Sequence, residues 1–249
     1  MPEYKPNQEI IEQSFRELGY IMKWVKSRED NQENPITVLV GGWAVYAYNP
    51  WYGSIDIDLI TNNRTKERLK HHLRTRRGYI PYRTAEESTV CKPTESGSII
   101  IDFGTRERPY RFEGRTEALD LEILNGNTVI KKIGEDISAA VPTRSLLFLF
   151  KLKAAWDREY RVKTRTSEDI SWESGKLIKD YADLLALIDP EYGGEDIDIA
   201  FLGEQFKRFE FLRECLRGVP DNDDARTKYG KMDRETAQKT WNKLLELLK

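Results

Sequence analysis

The sequence predicts an α+β fold, in which a small mixed β-sheet flanked by helices is followed by a helical domain. Two observations support this prediction. Before residue 140, short β-branched or alternating runs end at glycine, asparagine or proline, which is typical of strands and turns. After residue 141, apolar residues recur at helical spacing over long segments. We therefore predict an α+β domain over residues 1–140 and a helical domain over residues 141–249.

The first predicted elements are a helix, a strand and a second helix. The helix over 7–26 follows from apolar residues at steps of four and three: Ile11, Phe15, Leu18, Met22 and Val25. The strand over 36–40 is rich in β-branched residues and ends at a pair of glycines. A short helix over 43–48, rich in alanine and aromatic residues, follows those glycines and ends at Asn49-Pro50.

The middle of the sequence predicts more strands. Residues 54–61 alternate, with isoleucine and leucine on one face and aspartate on the other. A charged helix over 65–77 ends at Gly78. Three further strands are predicted from apolar runs over 79–84, 88–93 and 98–103. An Asn-Gly-Asn sequence at 125–127 predicts a β-hairpin over 119–130.

The C-terminal part predicts helices. Val141-Pro142-Thr143 precedes the first long helical pattern. The helices are expected over 145–160, 174–188, 195–217 and 233–248. The acidic stretch over 221–224 lacks the spacing of a calcium-binding loop and is interpreted as a solvated loop.

Composition narrows the class of protein. The 249 residues are 39% hydrophobic and 33% charged, with a formal net charge of −2, which is typical of a soluble globular chain without a global basic excess. No secretory leader and no apolar run of about 20 residues is found. A cytoplasmic protein without membrane partners is therefore expected.

Three aspartates form the candidate catalytic and metal-binding group. Asp56 and Asp58 are two residues apart on a predicted strand and so share one face. Asp102 follows three isoleucines on a second apolar strand. Adjacent carboxylates repel one another unless a cation neutralises them. Mg²⁺ suits such oxygen ligands, and two ions are expected if the strands are neighbours, with Mn²⁺ as the other candidate.

A glycine pair and a serine form the candidate phosphate-binding group. Gly41 and Gly42 lie where a strand turns into a helix, so the backbone can approach a ligand and the helix N–H groups can face phosphate. Ser54, just before the acidic pair, could add a hydroxyl to the same phosphates.

These motifs together resemble the DNA polymerase β-type nucleotidyltransferase superfamily. The resemblance consists of Gly41-Gly42, a spacer of thirteen residues, Asp56-Ile57-Asp58, and Ile101-Asp102-Phe103 on a later strand. In that family the paired acids bind metal, and the third acid binds metal or activates the attacking hydroxyl. The segment Gly41-Gly42-Trp43-Ala44-Val45 is similar to antibiotic-modifying members such as lincosamide nucleotidyltransferases.

The C-terminal part is similar to abortive-infection nucleotidyltransferase toxins. Lys151 and Arg158 lie on one predicted helix, and a basic-Asp-x-x-Asp-Leu segment follows at 179–184. In those toxins a lysine on the first helix contacts nucleotide phosphate and an aspartate on the second supports the site. The resemblance therefore implies nucleotide-binding roles for Lys151, Arg158 and Asp180, in a site that opens between the two domains.

The resemblance implies a reaction and leaves its acceptor open. The reaction is transfer of a nucleoside monophosphate from an NTP donor to an acceptor hydroxyl, with release of pyrophosphate. The acceptor is a small molecule, or tRNA or protein as in the toxin members, which would also admit an antitoxin-type protein partner. The alternative is a catalytically idle nucleotide-binding or partner-binding module of the same fold.

Two other patterns have both a functional and a structural interpretation. The basic helix over 65–77, which contains His71-His72, suits RNA or nucleotide phosphate, and a solvated helix face is favoured over that reading. Trp43, Tyr46 and Tyr48 could stack on a base, and core packing is favoured.

Overall fold

The chain contains both helices and a small mixed sheet. The computed structural model describes residues 6–29, 34–83 and 88–247. Within these ranges the α+β class predicted from the sequence is confirmed at this level of detail. Residue 84 of the strand predicted over 79–84, and residue 248 of the helix predicted over 233–248, lie outside the described residues.

The chain divides into two compact units. The sheet unit contains residues 6–110 and 119–143. The helical unit contains residues 111–118 and the chain from Arg144 onward. The segment 111–118 thus belongs with the helices, although it lies inside the range predicted for the first domain. Two short strands, β6 (Tyr110–Arg111) and β7 (Ala118–Leu119), lie where the chain enters and leaves this segment.

The sheet unit is built on five strands. Its helices and the strands of its main sheet are, in chain order, α1 (Gln8–Lys26), β1 (Val38–Val40), α2 (Gly41–Tyr48), β2 (Asp56–Thr61), α3 (Asn63–Arg76), β3 (Ile80–Arg83), β4 (Ser88–Thr94) and β5 (Gly97–Thr105). The spatial order is β1-β2-β5-β4-β3. Only β2 and β5 run parallel, and the other neighbours are antiparallel.

Local sequence explains the helix boundaries of this unit. The Asn7 side chain caps α1 by accepting a hydrogen bond from the Glu9 N–H, and Asn62 caps α3 by accepting one from the Thr65 N–H. On α3 only Leu69 and Leu73 are buried, four residues apart on one face. Helix α2 begins at Gly41, two residues before the predicted start.

The hairpin predicted over 119–130 is wrong. Leu121–Leu124 forms a 3₁₀ helix, because the Asp120 carboxylate accepts the Glu122 N–H and two leucines at helical spacing are buried. The hairpin lies one element later, between β8 (Thr128–Lys132) and the unpredicted strand β9 (Ser138–Pro142).

The helical unit contains α4 (Arg144–Thr164), α5 (Ile170–Ile188), α6 (Ile199–Arg208), α7 (Leu212–Gly218), α8 (Asp223–Tyr229) and α9 (Arg234–Leu247). Two short 3₁₀ helices, Pro190–Tyr192 and Gly194–Asp196, connect α5 to α6. Helices α4 and α5 pack against each other along most of their length. None of the described helices is both long enough and apolar enough to cross a membrane.

Two predictions for the helical unit are corrected. The single helix predicted over 195–217 is broken, because the Asp198 side chain caps α6 and the chain leaves helical geometry at Phe209, whose side chain is buried. Of the solvated loop predicted over 221–224, residues 221–222 lie outside any helix and residues 223–224 form the start of α8. The Asn222 side chain caps that helix, and two acidic residues lie in its first turn.

Candidate functional site

The three predicted aspartates meet at neighbouring positions of two parallel strands. Asp58 on β2 lies opposite Asp102 on β5 in the parallel register, and Asp56 lies opposite Ile100. Neighbouring strands are about 4.8 Å apart, and residues two apart on a strand are separated by about 6.6 Å. We call Asp56, Asp58 and Asp102 the acidic edge.

Strand alternation separates the acidic edge from the core. Ile57, Leu59 and Ile101, which occupy the alternate positions, are completely or almost completely buried. Helices α1 and α3 pack on β5 and cover this apolar face. The three aspartates point to the opposite face and are half-buried. Their carboxylates can therefore meet a ligand without displacing core residues.

Gly41 is required by the position of Asp58. Val40, the last residue of β1, pairs with Asp58, so the next residue begins α2 beside that carboxylate. Gly41 has a φ of +65°, and a Cβ added there would lie 1.8 Å from Asp58 Oδ2. Any other residue would be strained and would displace the carboxylate.

The other predicted phosphate-binding residues are close to the acidic edge along the chain. Gly42 is buried in the first turn of α2, whose N-terminus offers N–H groups to an anion. Ser54 is buried two residues before Asp56. Two extended residues span at most about 7 Å, so Ser54 lies within short reach of the acidic edge.

The donor set of the acidic edge fits a hard divalent cation. Three carboxylates on adjacent backbone positions supply the oxygen ligands that Mg²⁺ prefers, and the glycine cradle leaves room beside Asp58. Within residues 6–29, 34–83 and 88–247, however, no group of three or more His, Cys, Asp or Glu side chains is arranged as a formed metal site.

In the helical unit, the three predicted nucleotide-binding residues are joined by ion pairs. Lys151 Nζ lies 3.0 Å from Asp180 Oδ1, and Arg158 Nε lies 2.8 Å from Asp180 Oδ2. Lys151 Nζ also lies 2.7 Å from Asp183 Oδ2. The three residues are buried or nearly so, between α4 and α5.

These pairs belong to a larger network with equal numbers of positive and negative groups. Arg158 and Arg161 both contact Glu173 Oε1, at 2.8 and 2.9 Å, and Lys179 Nζ lies 2.6 Å from Asp183 Oδ2. Arg161 continues to Glu113, at 3.0 Å. We call the eight side chains the ion-pair network: Lys151, Arg158, Arg161, Lys179, Glu113, Glu173, Asp180 and Asp183.

The pKa shifts report strong coupling within the network. Burial by itself would raise the pKa of Asp180, and the attraction of Lys151 and Arg158 outweighs it, so that the pKa lies well below its ordinary value. Burial would lower the pKa of Lys151, and its two aspartate partners raise it instead. Both side chains are therefore charged at neutral pH.

Lys179 shows the opposite shift. Burial lowers its pKa, and the nearby charge of Lys151 lowers it further. The negative charge of Asp183 raises the pKa of Lys179, but by less than burial and Lys151 together lower it. The two lysines share the Asp183 carboxylate. The pairing of Lys179 with Asp183 is visible in the sequence, because the two residues are four apart on a helix. No local spacing indicates the contacts of Glu113 and Glu173.

Of the aromatic residues after the glycine pair, Trp43 packs in the core, as favoured from the sequence, whereas Tyr46 and Tyr48 are half-buried. Trp43 is 2% exposed, and its indole N–H donates to Ser14 Oγ over 3.1 Å. Its ring contacts Phe15 and Tyr46, with centroids 5.2 and 5.4 Å away. The Tyr48 hydroxyl donates to the Pro142 carbonyl.

Comparison with protein-family models gives no match, and comparison with curated proteins gives none either. The resemblance seen in the motifs therefore remains a prediction that depends on the residues themselves.

Proposed function

We propose that this protein is a divalent-metal-dependent nucleotidyltransferase, which moves a nucleoside monophosphate from an NTP to an acceptor hydroxyl. One observation carries the proposal. Asp58 and Asp102 are in register on adjacent parallel strands, with Asp56 two residues away and Gly41 against Asp58 at a helix N-terminus. The glycine lets the N-terminus of α2 approach the Asp58 carboxylate closely, which is where a phosphate and a cation would meet.

The proposed reaction assigns a role to each group of the acidic edge. Asp56 and Asp58 hold the metal, while Gly42 and Ser54 face the phosphates. The acceptor oxygen forms a bond to the α-phosphorus as the bond to the β-phosphate oxygen breaks and pyrophosphate leaves. Asp102 accepts the hydroxyl proton or supports the metal. When bound, Mg²⁺ supplies neutralisation of the charge on the phosphates. Positioning and electrostatics provide most of the catalysis.

Nucleotide binding by Lys151, Arg158 and Asp180 would compete with the ion pairs that these residues already make. In the ion-pair network each of these groups already has partners of opposite charge. A phosphate could reach Lys151 only by displacing a carboxylate. The ion pairs also give the three residues a purely structural role, which is to hold α4 against α5.

The acceptor remains open between a small molecule and tRNA or protein. A catalytically idle nucleotide-binding module of the same fold is the second candidate, because the acidic edge and the N-terminus of α2 could bind a nucleotide without transferring it. Transfer of label from each NTP to total RNA, total protein or a panel of small-molecule alcohols separates these cases. An idle module would transfer label to none of them.

The decisive experiment is calorimetric titration of ATP, CTP, GTP and UTP with and without Mg²⁺. Wild type is compared with Asp56→Asn/Asp58→Asn, and with Glu135→Gln/Asp136→Asn as a matched control. The control removes the same two charges from exposed positions of the same unit. Mg²⁺-dependent binding that is lost only in the acidic-edge variant supports the proposal. Equal binding by all three proteins would contradict the assignment of the NTP site to the acidic edge. Absence of binding to wild type would contradict the proposal that an NTP is the donor.

A further inference from the structure

A second charged surface lies between α1 and α3, away from the acidic edge. Helix α3 carries six lysine or arginine side chains and one glutamate, a formal net charge of +5 in a chain whose total is −2. Such an asymmetry is hidden in the overall composition. The sequence alone favoured a solvated helix face for these residues.

The two helices enclose a shallow groove of about 710 Å³. Its lining is mostly cationic or aromatic. We call it the basic groove, and its residues are Trp24, Arg28, Glu67, Arg68, His71, His72, Thr75 and Arg76. Arg28, Arg68, His71 and Arg76 are exposed, so their charges are presented to solvent.

Three aromatic rings meet at the basic groove. The His72 ring contacts both Tyr20 and Trp24, with ring centroids 5.7 and 5.8 Å away. Tyr20 and His72 are also hydrogen-bonded, with 2.6 Å between the hydroxyl oxygen and Nε2. The Arg28 guanidinium lies 4.4 Å from the centroid of the Trp24 ring, which holds one positive charge at the rim.

The positive charge of the groove comes from arginine. Burial lowers the pKa of His72, and the nearby charges of Arg28 and Arg76 lower it further, so the ring is neutral at neutral pH. Arginine remains charged at any physiological pH and binds phosphate through two parallel hydrogen bonds. Glu67 is the acidic side chain among the residues that line the groove.

We propose that the basic groove binds the sugar-phosphate backbone of structured RNA. The charge of the groove is complementary to phosphate, and its concave shape distinguishes it from modules that read duplex DNA. Those modules insert a recognition helix into the major groove, whereas α3 lines a groove together with α1. Loops and bulges of RNA expose an irregular backbone that a concave basic surface can receive. This inference does not depend on the proposed function.

The test measures binding of a fluorescein-labelled RNA hairpin with a single-stranded loop, by fluorescence anisotropy at several salt concentrations. Wild type is compared with Arg28→Glu/Arg68→Glu/Arg76→Glu. The matched control is Arg234→Glu/Lys239→Glu/Lys243→Glu, which makes the same charge change on the exposed face of α9. Thermal unfolding followed by circular dichroism checks that each variant is folded.

The groove variant should bind the hairpin roughly tenfold or more weakly than wild type, and the control should bind within about twofold. Neutralising three phosphate contacts should also reduce the slope of log K against log salt by about 2. Should the groove variant fail to fold, Arg28→Gln/Arg68→Gln/Arg76→Gln should show the same loss in smaller degree.

Two results would overturn the inference. Equal weakening in the control variant would show that total charge, not the groove, attracts RNA. Equal affinity of wild type for the RNA hairpin and for a DNA duplex of the same length would contradict the proposal that the groove is specific for RNA. Mg²⁺-dependent NTP binding, measured on the groove variant, keeps this test separate from that of the acidic edge.

Discussion

The acidic edge and the ion-pair network both gather carboxylates, in opposite surroundings. In the sheet unit, three half-buried aspartates share adjacent backbone positions and one of them lies against a glycine. In the helical unit, four carboxylates are paired with four cations, mostly between α4 and α5. The acidic edge thus gathers charges of one sign, whose mutual repulsion a cation would relieve, whereas the ion-pair network is balanced by its own cations.

The comparison explains why the relative positions of the motif residues follow from the sequence in the sheet unit and not in the helical unit. On a strand, the spacing of two residues fixes a shared face, so sequence and geometry agree for Asp56 and Asp58. On helices, Lys151 and Asp180 meet only because α4 and α5 pack. The same contact suits a nucleotide site or a structural bridge.

The largest expected effect is on the ion-pair network. Asp183→Ala removes the carboxylate shared by Lys151 and Lys179 and leaves buried cations without it, so the free energy of unfolding should fall by about 3–5 kcal/mol. Urea denaturation measures the change. Asp221→Ala, at an exposed position of the same unit, should change stability by no more than about 0.5 kcal/mol. Equal effects of the two substitutions would contradict a structural role for the network.

A smaller effect is expected from Gly41→Ala. The φ of +65° disfavours alanine by about 1–2 kcal/mol, and the contact with Asp58 adds about 1–3 kcal/mol. Gly126→Ala measures the first cost alone, because Gly126 has a φ of +73° and no atom within 4 Å of an added Cβ, so the difference between the two substitutions gives the second. Only Gly41→Ala should also reduce NTP binding. Equal destabilisation by both substitutions would mean that Gly41 serves the turn alone.

Asp58→Asn tests repulsion within the acidic edge. Two carboxylates about 5 Å apart repel by about 1–3 kcal/mol at dielectric constants between those of water and a protein surface. The substitution should therefore raise the melting temperature in EDTA, abolish its dependence on Mg²⁺, and eliminate nucleotidyl transfer. A lower melting temperature in EDTA would show that the Asp58 charge already contributes stability without metal.

The smallest expected effect is a change in acid sensitivity. Burial would raise the pKa of Glu173, and Arg161 and Arg158 outweigh it, so the folded pKa lies below the unfolded value of about 4.3. Glu173 thus contributes stability that is complete above that value and is lost as pH falls through the folded pKa. Glu173→Gln should cost about 1 kcal/mol at pH 7 and flatten the stability profile below pH of about 4. An unchanged acid limb would contradict the coupling.

The elements with local signals could be predicted from the sequence. Alternation predicted β2, an apolar run predicted β5, helical periodicity predicted α1, α4 and α5, and the glycine pair marked the turn before α2. The sequence also located the acidic edge, because a period of two places Asp56 and Asp58 on one face whatever surrounds them.

The remaining features depend on packing between segments that are distant in the chain. Register between β2 and β5 brought Asp102 opposite Asp58, and the packing of α4 on α5 joined Lys151 to Asp183. Within the hairpin predicted over 119–130, residues 121–124 form a 3₁₀ helix whose leucines are buried. The His72 ring of α3 meets the Tyr20 and Trp24 rings of α1 only because the two helices are neighbours. Contacts between residues far apart in the chain are set by the burial of whole faces, and no local pattern records which faces will meet.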